Sequence, residues 1–281
     1  MGRDTNWQRF RDDMDSRLVL LALAIFGVVT GAKLQEEDEG TDPGLPPNIV
    51  GGTDADEDAW PWQVTLTYKN KFMCGGTILN EKTILTAAHC TYRAKKKALK
   101  VIVGNYDRRK NEKKTRGEKK MKVASIIQGK HPGYDGDVLH DISIIKLKGK
   151  IKYGDYIQPI PGLAEDNMDL MNSVCFVTGW GATKGLSSSA RILQELQTPV
   201  ITNAACQAGI ILNYPVTDDM ICTDSEPKGS CYGDSGGPLQ CLVDGTWVHA
   251  GAVSWGNENC MVGPSVYART SYHRDWILSK M

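Results

Sequence analysis

The chain has 281 residues, 41% of them hydrophobic, with 33 basic and 33 acidic side chains and a formal net charge of zero. That is enough apolar surface for one large core or two modest ones, so disorder throughout is excluded. The balanced charge also lacks the overall cationic footprint of a nucleic-acid binder.

The first segment of note is the apolar run Leu18 to Thr30, which follows Arg17 and leads into Thr30-Gly31-Ala32. Thirteen residues fall short of the roughly 20 that span a bilayer. A positive flank, a short apolar run and small residues instead describe a secretory signal over residues 1–32, cleaved after Ala32. Either Met1 or Met14 starts the chain; Met14 gives the shorter leader. A signal anchor holding a type II membrane protein is the alternative, and the shortness of the run weighs against it. The expected destination is extracellular.

Residues 33–48 are rich in Glu, Asp, Pro and Gly, with almost nothing to bury, and read as an exposed pro-segment. It carries no cysteine, so once cut it would not stay covalently attached. From Ile49 the texture changes to short β-branched and apolar runs broken by Gly, Pro, Asn and Asp. Trp62 to Tyr68, Thr83 to Ala87, Lys100 to Gly104, Ile142 to Leu147, Val174 to Gly179, Gln194 to Ile201, Thr246 to Trp255 and Ser265 to Arg269 read as strands. The pattern is all-β. Helical periodicity appears only at Tyr272 to Lys280, where Tyr272, Trp276 and Ile277 share a face.

Between Arg93 and Lys122 stand fourteen Lys or Arg against Asp107, Glu112 and Glu118. This basic loop reads either as a solvated face or as a dock for a polyanion such as a sulfated glycan. Retention on heparin that ignores salt would contradict the second reading. Eight cysteines (Cys74, Cys90, Cys175, Cys206, Cys222, Cys231, Cys241 and Cys260) all follow the signal, an even count that argues for disulfides in an oxidising compartment. The tightest gap, Cys222 to Cys231, offers no Cys-x-x-Cys pair for zinc, so no metal and no cofactor is expected. Spacing alone leaves 105 pairings open.

Three strings carry chemistry: Thr86-Ala-Ala-His-Cys90, His140-Asp-Ile-Ser-Ile-Ile-Lys-Leu147 and Gly233-Asp-Ser-Gly-Gly-Pro238. Taken singly, each is a packed strand end, a cap or a turn. Taken together they supply a serine hydroxyl, an imidazole that titrates just below neutrality to deprotonate it, and a carboxylate to orient the imidazole.

With Ile49-Val-Gly-Gly52 and the closing Tyr272-x-x-x-Trp276-Ile277, these strings resemble the trypsin/chymotrypsin-like serine protease family over the whole of residues 49–281. The resemblance implies two six-stranded antiparallel β-barrels, roughly Ile49 to Ile160 and Pro161 to Tyr272, with a short C-terminal helix and the site at their junction. It implies Ser235 as nucleophile, His89 as base, Asp141 as its orienter, and the amides of Gly233 and Ser235 as the oxyanion hole. It pairs Cys74 with Cys90, Cys175 with Cys241, Cys206 with Cys222, and Cys231 with Cys260.

It further implies a zymogen, whose new Ile49 ammonium pairs with Asp234 after cleavage. Asn48 stands where the family has Arg or Lys, so trypsin could not make that cut. An asparagine-cleaving protease, or an upstream cut followed by trimming, is expected instead.

The pocket is expected to be lined by Gly229, Tyr232, Ser254, Trp255, Gly256 and Ser265. Gly229 replaces the Asp of trypsin-like members, and Ser265 stands where chymotrypsins carry Gly. That pattern resembles the chymotrypsin-like elastases and implies cleavage after medium or large apolar residues. Tyr232 reads as a rim residue or as an exposed loop aromatic. At the family's calcium loop Asn105 replaces Glu, and no calcium is expected. The expected partners of a monomeric enzyme are protein or peptide substrates and protein protease inhibitors. The alternative is a catalytically silent homologue that binds rather than cuts.

Overall fold

The computed structural model describes residues 49–128, 138–182, 189–212 and 214–281. The expected signal, the start at Met14 and the pro-segment at 33–48 lie outside the described residues. The first strand, β1 (Thr53–Asp54), belongs to the second sheet. The first barrel is formed by β2 (Gln63–Tyr68), β3 (Lys71–Asn80), β4 (Thr83–Thr86), β5 (Leu99–Val103), β6 (Lys119–Gln128) and β7 (Ser143–Leu147). They close in the order β2-β3-β4-β7-β6-β5. Period-two patterning drives the closure: in β5 Leu99, Val101 and Val103 point inward while Lys100 and Ile102 face out. Leu66, Ile78, Ile84, Leu85 and Ile144 fill the interior.

The second half contains β8 (Gly162–Leu163), β9 (Val174–Gly179), β10 (Gln194–Gln197), β11 (Val200–Ile201), β12 (Met220–Thr223), β13 (Pro238–Val243), β14 (Thr246–Gly256) and β15 (Ser265–Arg269). The sheet runs β1-β10-β9-β13-β14-β15-β12-β11, with β8 beside β14. One barrel therefore closes by hydrogen bonding and the other half is an open, curled sheet. Its two ends are the two-residue strands β1, on β10, and β11, on β12. The expected strand Gln194 to Ile201 divides at Thr198-Pro199, because proline has no N–H to give a ladder.

Among the described residues there are three short helices, α1 (Ala88–Thr91), α2 (Asn203–Gly209) and α3 (Thr270–Ser279). In α3 the buried stripe is Thr270, His273 and Ile277, and Tyr272 is 47% exposed. The expected face shared by Tyr272, Trp276 and Ile277 is thus rotated, with Ile277 its buried member and Trp276 packed at the core's edge.

The expected basic loop is also partly strand. Lys100 lies on β5 directly opposite Lys122 on β6, and Lys120 continues that face. Arg116 leaves the basic surface altogether, buried between the rings of Tyr106 and Tyr156 at 5.0 and 4.2 Å.

Buried polar bonds lock the halves together. The Trp62 indole donates to Gln240 Oε1 at 3.2 Å, and Thr178 Oγ1 donates to Gln63 Oε1 at 2.8 Å. Trp60 stacks edge-on against Trp62 and Trp247 above them, at 5.9 and 4.9 Å.

Candidate active site

His89 sits on α1, the single turn that follows β4, and its neighbour Cys90 is bonded to Cys74 of β3. Asp141 lies just before β7, across the same barrel wall. Its Oδ1 accepts the His89 backbone N–H at 2.7 Å, and its Oδ2 faces His89 Nδ1 at 2.6 Å. That bond assigns the ring proton to Nδ1 and leaves the lone pair on Nε2. Burial alone would raise the Asp141 carboxyl. The charge and hydrogen bond of His89, with the hydroxyl of Ser254, outweigh it and hold the group below the usual carboxylate range.

Ser254, expected from the sequence only to line the substrate groove, does more. Its hydroxyl donates to Asp141 Oδ2 at 2.6 Å, so the second sheet takes part in fixing the first barrel's carboxylate.

Ser235 lies in the turn before β13. Its carbonyl accepts from Gly75 N at 2.8 Å, and the amide of Gly236 donates to Val253 O at 2.8 Å. Gly236 has φ of 72°, and a Cβ there would lie 2.1 Å from Thr86 Oγ1 and 2.9 Å from Ala87 N. Only glycine allows this turn to press against the residues leading into α1, the helix that carries His89. The Ser235 hydroxyl makes no hydrogen bond among the described residues, and such contacts commonly tighten only when substrate binds.

Gly233 turns the chain at φ of 99°, and Gly233 and Ser235 are both part-exposed residues. Among the described residues neither donates to a protein acceptor.

Asp234 between them is fully buried. Its oxygens accept from Gly181 N at 2.7 Å and Cys231 N at 2.9 Å. Ile49 is also fully buried, and Val50 bridges Gly229 through a 3.1 Å bond. In this uncut chain the Ile49 nitrogen is an amide, so the expected ion pair with Asp234 is not formed.

Where the sequence leads one to expect the pocket, Ser265 is paired with Gly256 across β14 and β15. A Cβ on Gly229 would lie 2.9 Å from Cys260 O and 3.2 Å from Ser265 Oγ. The hydroxyls of Thr223, Ser230 and Ser265 surround that of Tyr267, which burial pushes up to about 12. Trp255 is mostly buried, edge-on to Tyr214 at 5.9 Å. Tyr232 is half-buried, its carbonyl accepting from Ala182 N. The disulfides pair Cys74–Cys90, Cys175–Cys241, Cys206–Cys222 and Cys231–Cys260, and the last ties the stretch before Ser235 to the connection between β14 and β15.

In the calcium-loop region the Glu112 carboxylate accepts from the Tyr106 and Asp107 amides, and that of Glu118 accepts from the Glu112 amide.

A buried carboxylate, an imidazole it orients, and a serine turn with two unspent amides, set between a closed barrel and an open sheet, are the parts of a serine-type acyl-transfer site. Residues 49–277 match the family described as Trypsin. The chain is also 36% identical over 247 residues to a tryptase of Mus musculus, covering 82% of this chain and 87% of the relative. The chain belongs to the trypsin family and is a trypsin-like serine endopeptidase.

Proposed function

We propose that the chain is a secreted, zymogen-derived endopeptidase that cleaves after medium or large apolar side chains through an acyl-enzyme. Ser235 Oγ attacks the scissile carbonyl while His89 Nε2 takes its proton. The amides of Gly233 and Ser235 hold the oxyanion as charge develops. His89 then gives the proton to the leaving amine, and water attacks the acyl-enzyme by the same route in reverse. Asp141 stays ionised throughout and keeps the imidazole in the useful tautomer. The pair of unspent amides beside a buried, ionised Asp141 carries this reading, because a protein that only bound peptides would have no need of it.

The apolar preference rests on Gly229 and Ser265, since family membership does not fix it. No carboxylate stands at Gly229, so a buried Lys or Arg would lack a counter-charge. The Ser265 hydroxyl stands beside Gly229, 3.2 Å from where a Cβ would lie, and should make the pocket shallower. Peptides with Leu or Phe before the scissile bond should exceed the Arg peptide in kcat/KM by about a hundredfold. Ser265→Gly should favour Phe and Tyr over Leu by a further roughly tenfold, the scale of one or two methylenes in an apolar pocket. Arg cleaved as well as Leu would contradict the assignment.

Activation rests on Asp234. Burial pushes its carboxyl up to about 7, while the Cys231 and Gly181 amides and the Arg108 charge oppose the shift. The folded, uncut chain therefore holds a proton that the unfolded chain gives up near pH 4. This group's contribution is most favourable below pH 4 and worsens as pH rises toward 7, by about 4 kcal/mol. A freed Ile49 ammonium would supply the missing cation. Denaturant unfolding between pH 4 and 8 should show the loss in uncut protein and little of it after cleavage between Asn48 and Ile49. Identical pH dependence in the two forms would refute the pair.

A further inference from the structure

Outside the peptidase site, metal-ligating side chains from three separate stretches converge. His140 immediately precedes Asp141, Asp219 stands just before β12, and His273 lies on α3. One ligand atom from each lies within 4.8 Å of the others. His140 Nδ1 is already 3.4 Å from Asp219 Oδ2, close to the edge of a zinc tetrahedron with bonds of roughly 2.0–2.1 Å. The His140 and His273 rings are edge-to-face at 5.6 Å, and Tyr272 stacks on His140 at 5.9 Å.

Asp219 is also held from behind. Thr217 Oγ1 donates to its Oδ1, and the His140 N–H donates to its Oδ2 at 2.7 Å. Metal ligands are commonly oriented by such outer contacts. Asp219 and His273 are buried, while the His140 side chain keeps 20% of its surface open as a way in. Two imidazoles and one carboxylate suit zinc or its neighbours better than calcium or magnesium, which prefer oxygen. Among the described residues, the other cluster of this kind, Cys74, His89 and Cys90, has both sulfurs in one disulfide and offers only His89.

We propose that His140, Asp219 and His273 form a site for a zinc-class divalent cation, with a fourth position left to solvent, and that filling it slows the peptidase. The coupling is short. His140 sits at a left-handed φ of 52°, kept there by the bond from its N–H to Asp219, and Asp141 is the next residue. A cation drawing His140 toward His273 moves the backbone that presents Asp141 to His89. The coupling rests on the roles assigned to Asp141 and Ser235, whereas the site itself does not.

The test titrates chelator-treated full-length protein with zinc chloride by calorimetry, and with cobalt(II) by visible absorption. One equivalent of zinc and a tetrahedral cobalt spectrum are expected. Affinity should fall at least about tenfold in His140→Gln and in His273→Asn. Circular dichroism checks each fold, and His140→Gln, at the part-exposed ligand, decides the matter if buried His273→Asn fails to fold. No binding by the natural chain, or undiminished binding by His140→Gln, would overturn the site. In protein cut between Asn48 and Ile49, fluorophosphonate labelling of Ser235 should slow with zinc in the natural sequence only. An unchanged rate in the loaded chain, or equal slowing in His140→Gln, would overturn the coupling and in the latter case point to His89.

Discussion

Ser235→Ala is expected to lower kcat by roughly a millionfold and to abolish labelling by a fluorophosphonate, the loss seen when a serine protease forfeits its nucleophile. The fold should survive. Ser235 is anchored through its carbonyl, bonded to Gly75 N, and the turn itself is set by Gly236 against Thr86 and Ala87, so removing a part-exposed hydroxyl leaves every one of these contacts in place. The residual rate would come from the Gly233 and Ser235 amides, which still bind the oxyanion. Peptide hydrolysis and labelling by the variant at more than about 1% of the parent rate would remove Ser235 from the mechanism.

The second large effect is expected from Asp141→Asn. The change preserves shape and volume but replaces an acceptor facing His89 Nδ1 with an amide. Asp141 accepts from the His89 backbone N–H at Oδ1 and from the His89 ring and Ser254 at Oδ2, whereas an Asn has one acceptor oxygen, and keeping the backbone bond turns its NH₂ toward the ring. Once its nitrogen faces the ring, His89 must turn its lone pair to Nδ1 and its N–H toward Ser235, the tautomer that cannot act as base. The expected fall in kcat is about ten-thousandfold, the magnitude that the same change has in the type enzyme of this family. A loss smaller than tenfold near pH 7 would show that His89 does not depend on the carboxylate.

The strings that hold His89, Asp141 and Ser235 are legible in the sequence because each is local: a few adjacent residues dictate a turn or a strand end, and the chemistry lies within them. Contacts between distant stretches are not. The bond from Ser254 to Asp141 joins residues 113 apart, and nothing in the neighbourhood of either announces it. β3 escapes a sequence reading because Gly75-Gly76 interrupts its β-forming residues, although Gly75 is where it meets the serine turn. β6 escapes it because Lys119-Lys120-Met121-Lys122 reads as charge before it reads as alternation, while Met121 and Val123 point inward. The face of α3 is misjudged because Tyr272 carries an aromatic ring that packs on His140 instead of entering the core. The convergence of His140, Asp219 and His273 depends wholly on the fold.

Expression of the full chain in secreting cells would test the central claim most directly. Processed protein recovered from the medium is offered peptides with Leu, Phe, Ala or Arg before the scissile bond, and its N-terminus is sequenced. The account predicts a start at Ile49 and cleavage after Leu and Phe that vanishes in Ser235→Ala. Folded protein that starts at Ile49 and cuts none of the peptides would contradict it and leave a member of the family that binds without cleaving.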